Sequence, residues 1–170
     1  MRILIANIIS FIAQMFLLYA TSRKTKHDML FFMNVFSVIV CISTSILGGY
    51  TGVILNIIGI IRNLCVMKEI NNRTLNWFLI LLALVLGFLF NQSGIVGILL
   101  LFAAFQENVI ILNPNNSIIV LKLSSAFASF CWAAFAFYIK DYTNATFNTV
   151  NTISYLLFVF KQLKEEKQSV

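Results

Sequence analysis

Near the end of the chain, Asn144, Asn148, Asn151 and Tyr155 recur at steps of three and four residues. In a helix that spacing puts them on one face. Carboxamides both donate and accept hydrogen bonds, so such a stripe suits a neutral solute bearing hydroxyl or amide groups. Shorter stripes occur at Asn7, Ser10 and Gln14, at Asn34, Ser37, Cys41 and Thr44, and at Asn56, Gly59 and Asn63. An unpaired amide in hydrocarbon costs several kcal/mol, so each stripe must face another helix or water. Hydrogen bonding between helices, worth ~0.6–2 kcal/mol per contact, is the competing use and accounts for most single Ser, Thr or Asn residues. Asn56, Asn148 and Asn151, together with Gln14, are the residues the pattern marks as lining a solute pathway.

Two charges fall inside apolar segments. Arg62 and Glu107 each lie about five residues, or ~7–8 Å of helix, from the same end of their segments, so an intramembrane ion pair between them is geometrically allowed. An ionisable residue inside a membrane span is a functional hypothesis by default, while snorkelling to the interface is the structural alternative. A dry, unpaired Glu107 would instead take up a proton and could carry it. Cys41, Cys65 and Cys131 show no C-x-x-C spacing and read as small packing residues. His27 stands alone, and no metal-ligand cluster, phosphate loop, G-x-S-x-G or H-E-x-x-H pattern occurs. The expectation is therefore no catalysis, no metal and no cofactor.

The elements that must position these side chains are membrane helices. Of the 170 residues, 60% are hydrophobic and 11% charged, and the mean hydropathy is +0.91. A soluble domain is closer to half apolar and a quarter charged. A helix crosses the hydrocarbon with about 20 apolar residues. Breaks at charged and Asn/Gly clusters divide the chain into Ile3–Ala20, Met29–Leu47, Thr51–Met67, Leu75–Phe90, Ile95–Leu112, Ile118–Ile139 and Thr143–Phe160. Each must be helical, because lipid offers no partner to free backbone groups. The expected fold is thus an all-α, polytopic membrane bundle of about seven transmembrane helices. A six-span variant treats the tight pair around Asn91–Gly94 as re-entrant. The first segment lacks a small-residue cleavage site and reads as a retained span.

Charge sets the orientation. Of the twelve Lys and Arg residues, only Arg2 and Lys140 fall on one side of a seven-span layout. The others lie near the turns Ser22–Asp28, Lys68–Thr74 and Asn113–Ser117 and the tail from Lys161. The positive-inside rule then puts the N-terminus outside and the C-terminus in the cytoplasm. The net charge of +6 follows from this asymmetry. Dispersed short turns make a poor phosphate-tracking surface, so no nucleic-acid partner is expected.

An ungapped shift of 92 residues lays Tyr50-Thr51 on Tyr142-Thr143, Asn56 on Asn148, Gln14 on Gln106 and Ser37 on Ser129. The pattern Tyr-Thr-x-x-x-x-Asn then opens the third helix of each half. Three spans plus one connector preserve direction, giving two parallel three-helix repeats. The expected units are 1–70, a linker helix within 71–93, a second unit over 94–162 and a cytoplasmic tail over 163–170. The linker segment Leu75–Phe90 is polar only at its entrance and reads as facing lipid.

The stretch Leu47-Gly-Gly-Tyr-Thr-Gly-Val-Ile-Leu-Asn-Ile-Ile-Gly-Ile-Ile-Arg62-Asn63 resembles the YgjV family of bacterial inner-membrane proteins. The basic turn Arg23–Lys26 followed by a second apolar span, and the chain length, resemble it too. That resemblance implies the bacterial cytoplasmic membrane and no particular substrate. The 3+1+3 layout is also similar to SWEET and PQ-loop transporters. In SWEET sugar facilitators an Asn on the third helix of each repeat lines the solute site, and by position the counterparts here are Asn56 and Asn148. The chain departs from those families in lacking a Pro-Gln pair and any Pro in its first three spans, which removes the basis for Pro-hinged gating and for a sugar assignment.

The function expected from these features is transport of a small polar solute by alternating access between the two units. The alternative is a non-transporting assembly or accessory protein whose stripes only hold helices together. The lipid bilayer is the expected surrounding partner, and assembly into a homo-oligomer stays open.

Overall fold

A computed structural model describes residues 1–70, 72–112 and 116–168. Of the expected features, residue 71 of the linker, residues 113–115 of the Asn113–Ser117 turn and residues 169–170 of the tail lie outside the described residues. The described chain forms seven helices: α1 (Arg2–Thr21), α2 (Lys26–Leu47), α3 (Tyr50–Met67), α4 (Arg73–Leu89), α5 (Gly94–Leu112), α6 (Ile118–Tyr138) and α7 (Tyr142–Gln168). Their boundaries follow local chemistry. The side chains of Thr25, Asn72 and Ser117 accept hydrogen bonds from the first-turn amides of α2, α4 and α6, and Asp141 does the same for α7, which satisfies donors that a helix start leaves open. Gly48 ends α2 with φ of 80°, a left-handed conformation that a residue without Cβ adopts freely.

Four helices (Arg2–Ala20, His27–Leu47, Tyr50–Met67 and Ile118–Tyr138) are long and apolar enough on their own to cross a membrane, and Arg73–Leu89 and Gly94–Ile110 are apolar but shorter. α7 is the most polar of the seven, because its first half carries the Asn and Thr stripe and its last two turns are charged. It also runs beyond Phe160, where the charged tail was expected to begin, and continues as helix to Gln168. Lys161, Gln162, Leu163, Lys164 and Glu165 are all strong helix formers, and Lys161 lies 3.9 Å from Glu165 one turn on.

Each helix packs against the next in sequence. Among the described residues α1 also touches α7, and α3 touches α5, while α4 touches only its neighbours α3 and α5. The chain therefore closes on itself as α1–α2–α3–α5–α6–α7, with α4 against the outside of the α3–α5 contact. In a bilayer, helices associate through close packing and polar contacts, since lipid tails are as apolar as Leu. Small residues serve the packing: Ala6, Ala13 and Ala20, seven apart on α1, have no exposed surface, which lets α2 approach closely.

The interior at the end of the bundle that carries the N-terminus and the α2–α3 corner is filled largely from α6. Phe135, Leu100 and Ile139 are buried together, with Leu47, Leu55, Val96 and Trp132 packed around them. The Phe135 ring lies against Gly49 and Gly52 of the α2–α3 corner, where a Cβ on Gly52 would sit 2.7 Å from the ring. Facing outward, Phe78, Phe88, Phe102, Phe130, Phe137 and Leu157 are exposed, an apolar belt that suits contact with lipid.

Candidate functional site

The densest group of buried polar side chains joins the two ends of the chain. Asn7, Ser10 and Gln14, one stripe of α1, all point at the start of α7. Nearest the N-terminal side, Asn7 Nδ2 donates to the Lys140 carbonyl (2.9 Å), its Oδ1 accepts from the Thr143 amide (2.9 Å), and Thr143 Oγ1 donates to the Asn7 carbonyl (3.2 Å). One turn deeper, Ser10 Oγ shares hydrogen bonds with Asp141 Oδ2 (2.7 Å) and with Ser43 Oγ of α2 (2.9 Å). Deeper again, Gln14 Nε2 donates to Asn144 Oδ1 (3.0 Å), which also accepts from Asn148 Nδ2 (3.0 Å). Ser10, Ser43 and Asp141 are fully buried, and Gln14 and Asn144 nearly so.

Asp141 is the residue that sequence reasoning passed over. It lies in the short turn between α6 and α7, caps α7 through the Asn144 amide (3.1 Å), and has no ion pair among the described residues. Burial pushes its carboxyl above the ordinary carboxylate range, outweighing the contacts with Ser10 and the Asn144 amide, which act in the other direction. Its signal was present: an Asp directly ahead of a polar helical stripe is a helix-start signature, and it is one of only six acidic residues.

A second polar group occupies the opposite half of the bundle, where α3, α5 and α6 meet. Arg62 donates to Asn108 of α5. Glu107 accepts from Ser125 (2.9 Å) and Gln106 donates to Ser124 (2.6 Å), both across the α5–α6 contact. Asn63 donates to Asn34 (3.0 Å), tying α3 to α2. Arg62 and Glu107 thus sit on adjacent helices and take separate hydrogen-bond partners; among the described residues no salt bridge joins them, although their charges are close enough to interact.

Of the marked pathway residues, Gln14 and Asn148 are brought together through Asn144. Asn151 lies half-buried one turn further along α7. Asn56 is not in this group: its Nδ2 donates to the Gly52 carbonyl of its own helix (2.9 Å), and α3 makes no contact with α7. Asn148 also donates to its own helix, at the Asn144 carbonyl (2.9 Å). At the N-terminal end of the bundle a cavity of about 420 Å³ opens between the turns, lined by Arg2, Gln92, Ser93 and Lys140, with Leu47 and Ile139 joining it to the apolar plug below.

The pattern of the Imp-YgjV family, described as bacterial inner membrane protein, matches residues 4–166. The chain belongs to this family. It is accordingly a protein of the bacterial inner membrane, and its apolar helices are the means of its insertion. Neither the curated proteins nor the solved structures offer a match to this YgjV-family chain.

Proposed function

We propose that this protein is a small-solute transporter or facilitator in which α1–α3 and α5–α7 rock against each other by alternating access, with α4 as the linker. The observation that carries this reading is the chemistry of two of the places where the halves meet, beside the apolar cluster around Phe135. α1 meets α7 through Asn7–Thr143, Ser10–Asp141 and Gln14–Asn144, and α3 meets α5 through Arg62–Asn108. Hydrogen bonds of this kind exchange for water at small net cost, so either contact opens more readily than an apolar one. The same polar groups suit a neutral solute carrying hydroxyl or amide groups, with Asn148, Asn151 and Gln14 on one side of its route and Asn56 on the other. The N-terminus is outside and the C-terminus cytoplasmic, on the charge asymmetry of the turns.

A second reading is an accessory protein that moves nothing. It is favoured by the way Asn56 and Asn148 spend their amide protons on their own helices. The test is a lock on the seam. With Cys41, Cys65 and Cys131 replaced, Gln14→Cys and Asn144→Cys are joined by a short bifunctional thiol cross-linker in proteoliposomes, and uptake of a panel of radiolabelled polyols, sugars and neutral amino acids is measured. The transport reading expects uptake of at least one solute by the wild-type protein and none by the cross-linked one. Equal uptake in protein-free liposomes for the whole panel would leave the accessory reading in its place.

A further inference from the structure

The contacts around Asp141 contain a proton count. Three oxygen–oxygen contacts run in series: Asp141 Oδ2 to Ser10 Oγ (2.7 Å), Ser10 Oγ to Ser43 Oγ (2.9 Å), and Ser43 Oγ to the Val40 carbonyl (3.0 Å). The two serines supply two protons, and the carbonyl at the far end supplies none. With an ionised carboxylate the series is short by one proton, and one contact becomes lone pair against lone pair. With a carboxylic acid every contact is filled in a single direction: Asp141 donates to Ser10, Ser10 to Ser43 and Ser43 to Val40. The other oxygen, Oδ1, stays an acceptor for the Asn144 amide (3.1 Å) in either form.

The open amides at the start of α7 favour the ionised form, but no cationic side chain faces the carboxyl. Facing Asp141 from α1 are Asn7, Ser10 and Gln14, and from α2 Ser43, none of them ionisable near neutrality. Arg2 at the outer end of α1 donates to the Ile46 carbonyl. From the turn, Lys140 is exposed and lines the outer cavity. α7 carries no charged side chain before Lys161. A fully buried carboxylate without a cation is costly, and such a group neutralises instead.

We infer that Asp141 holds a proton while the α1–α7 seam is closed and releases it to water in the outer cavity when the seam opens, making a proton the coupling ion of that movement. Ile139 and Lys140, the two residues before Asp141, line that cavity, which puts it beside the turn that carries the carboxyl. On release the O–H bond of the acid breaks, water takes the proton, and the carboxylate is left to be hydrated by the opened seam. The link to solute movement rests on the transport reading above; the proton on Asp141 does not.

The test reads the proton itself. The chain contains two aspartates, Asp28 and Asp141, and Asp28 is exposed. The full-length protein is labelled with carboxyl-¹³C aspartate, reconstituted in liposomes and followed by infrared difference spectroscopy as pH is raised. At about pH 6, where an ordinary aspartate with pKa near ~3.9 is over nine-tenths ionised, a labelled carboxylic-acid carbonyl band is expected. It persists in Asp28→Asn and is missing in Asp141→Asn. Absence of the band at that pH in the wild type and in Asp28→Asn overturns the inference, and needs no Asp141 variant to fold. A band that survives while the wild-type protein shows no solute uptake keeps the proton and discards the transport reading. Uptake that is independent of a proton gradient, with no band, does the reverse.

Discussion

Gly52→Ala gives a sharp test of the plug that Phe135 forms against the α2–α3 corner. At an open helical site the change would stabilise by ~1 kcal/mol, since Ala is the better helix former. Here the new Cβ falls 2.7 Å from Phe135 Cε1 and 3.2 Å from Cζ, with Thr44 Cγ2 at 3.4 Å. Phe135 is 1% exposed and is held edge-on by Trp132, at 6.1 Å between ring centroids, so the ring has little room to give. Overpacking of this kind costs ~1–3 kcal/mol. The expected net loss for Gly52→Ala is therefore ~0–2 kcal/mol. Phe135→Ala alone loses ~3–5 kcal/mol by leaving a cavity. In that background the obstacle to the Gly52 methyl group is gone, and Gly52→Ala stabilises by ~1 kcal/mol. The coupling between the two sites is then ~1–3 kcal/mol. Reversible unfolding by SDS in mixed micelles, followed by far-UV circular dichroism, measures all four corners of the cycle. Additivity within ~0.5 kcal/mol would mean that Phe135 does not sit on Gly52, and that the plug is wrongly built.

Further expectations concern the charges and the seam. A fluorescent protein that matures only in the cytoplasm should fluoresce when fused at the C-terminus, and a periplasmic phosphatase fused there should stay inactive. The Asp141 carboxyl is raised in the folded protein, so its contribution to stability is fully present below the unfolded value and lost as pH rises through the folded one. Thermal unfolding in detergent should show wild type losing stability as pH rises above about 4 relative to Asp141→Asn, in which this dependence is absent; identical pH profiles would count against a buried, unpaired carboxyl. Asn108→Ala removes the Arg62 partner across the α3–α5 contact and should cost ~0.6–1.7 kcal/mol in the SDS assay. Gln14→Ala should cost a similar amount, and Gln14→Ala with Asn144→Ala should fall short of the sum, because Asn144 Oδ1 serves both Gln14 and Asn148.

The helix boundaries were legible because they are punctuated by residues with a direct physical effect: Arg23 to Lys26, Gly48-Gly49, Lys68 to Arg73 and Asn91 to Gly94. The end of α7 was not. Lys161 marks where hydrocarbon stops, but a helix continues through any run of good helix formers, and Lys161 to Glu165 is one. The stripe Asn7, Ser10 and Gln14 was read on the correct face, since steps of three and four define a face without any knowledge of neighbours. Depth along the bundle was read for Arg62 and Glu107, yet depth leaves rotation about the helix axis open. It is Asn108, one residue on, that faces Arg62, while Glu107 turns to Ser125. Asp141 escaped because it sits in a turn, where charge reads as solvated. Its burial comes from Ser10 and Ser43, more than ninety residues away in sequence.

The central claim is that water reaches the polar stripes from each side of the membrane in turn. Single cysteines at Gln14, Asn56, Asn148 and Asn151, in protein freed of Cys41, Cys65 and Cys131, are exposed to a membrane-impermeant maleimide in right-side-out and then inside-out vesicles. The account predicts labelling of Asn148→Cys and Asn151→Cys from both sides, with Lys161→Cys labelled from the cytoplasmic side alone. Positions at Asn148 and Asn151 that label from neither side would show the stripes to be dry packing, and the proposed movement of the two halves would have no route to serve.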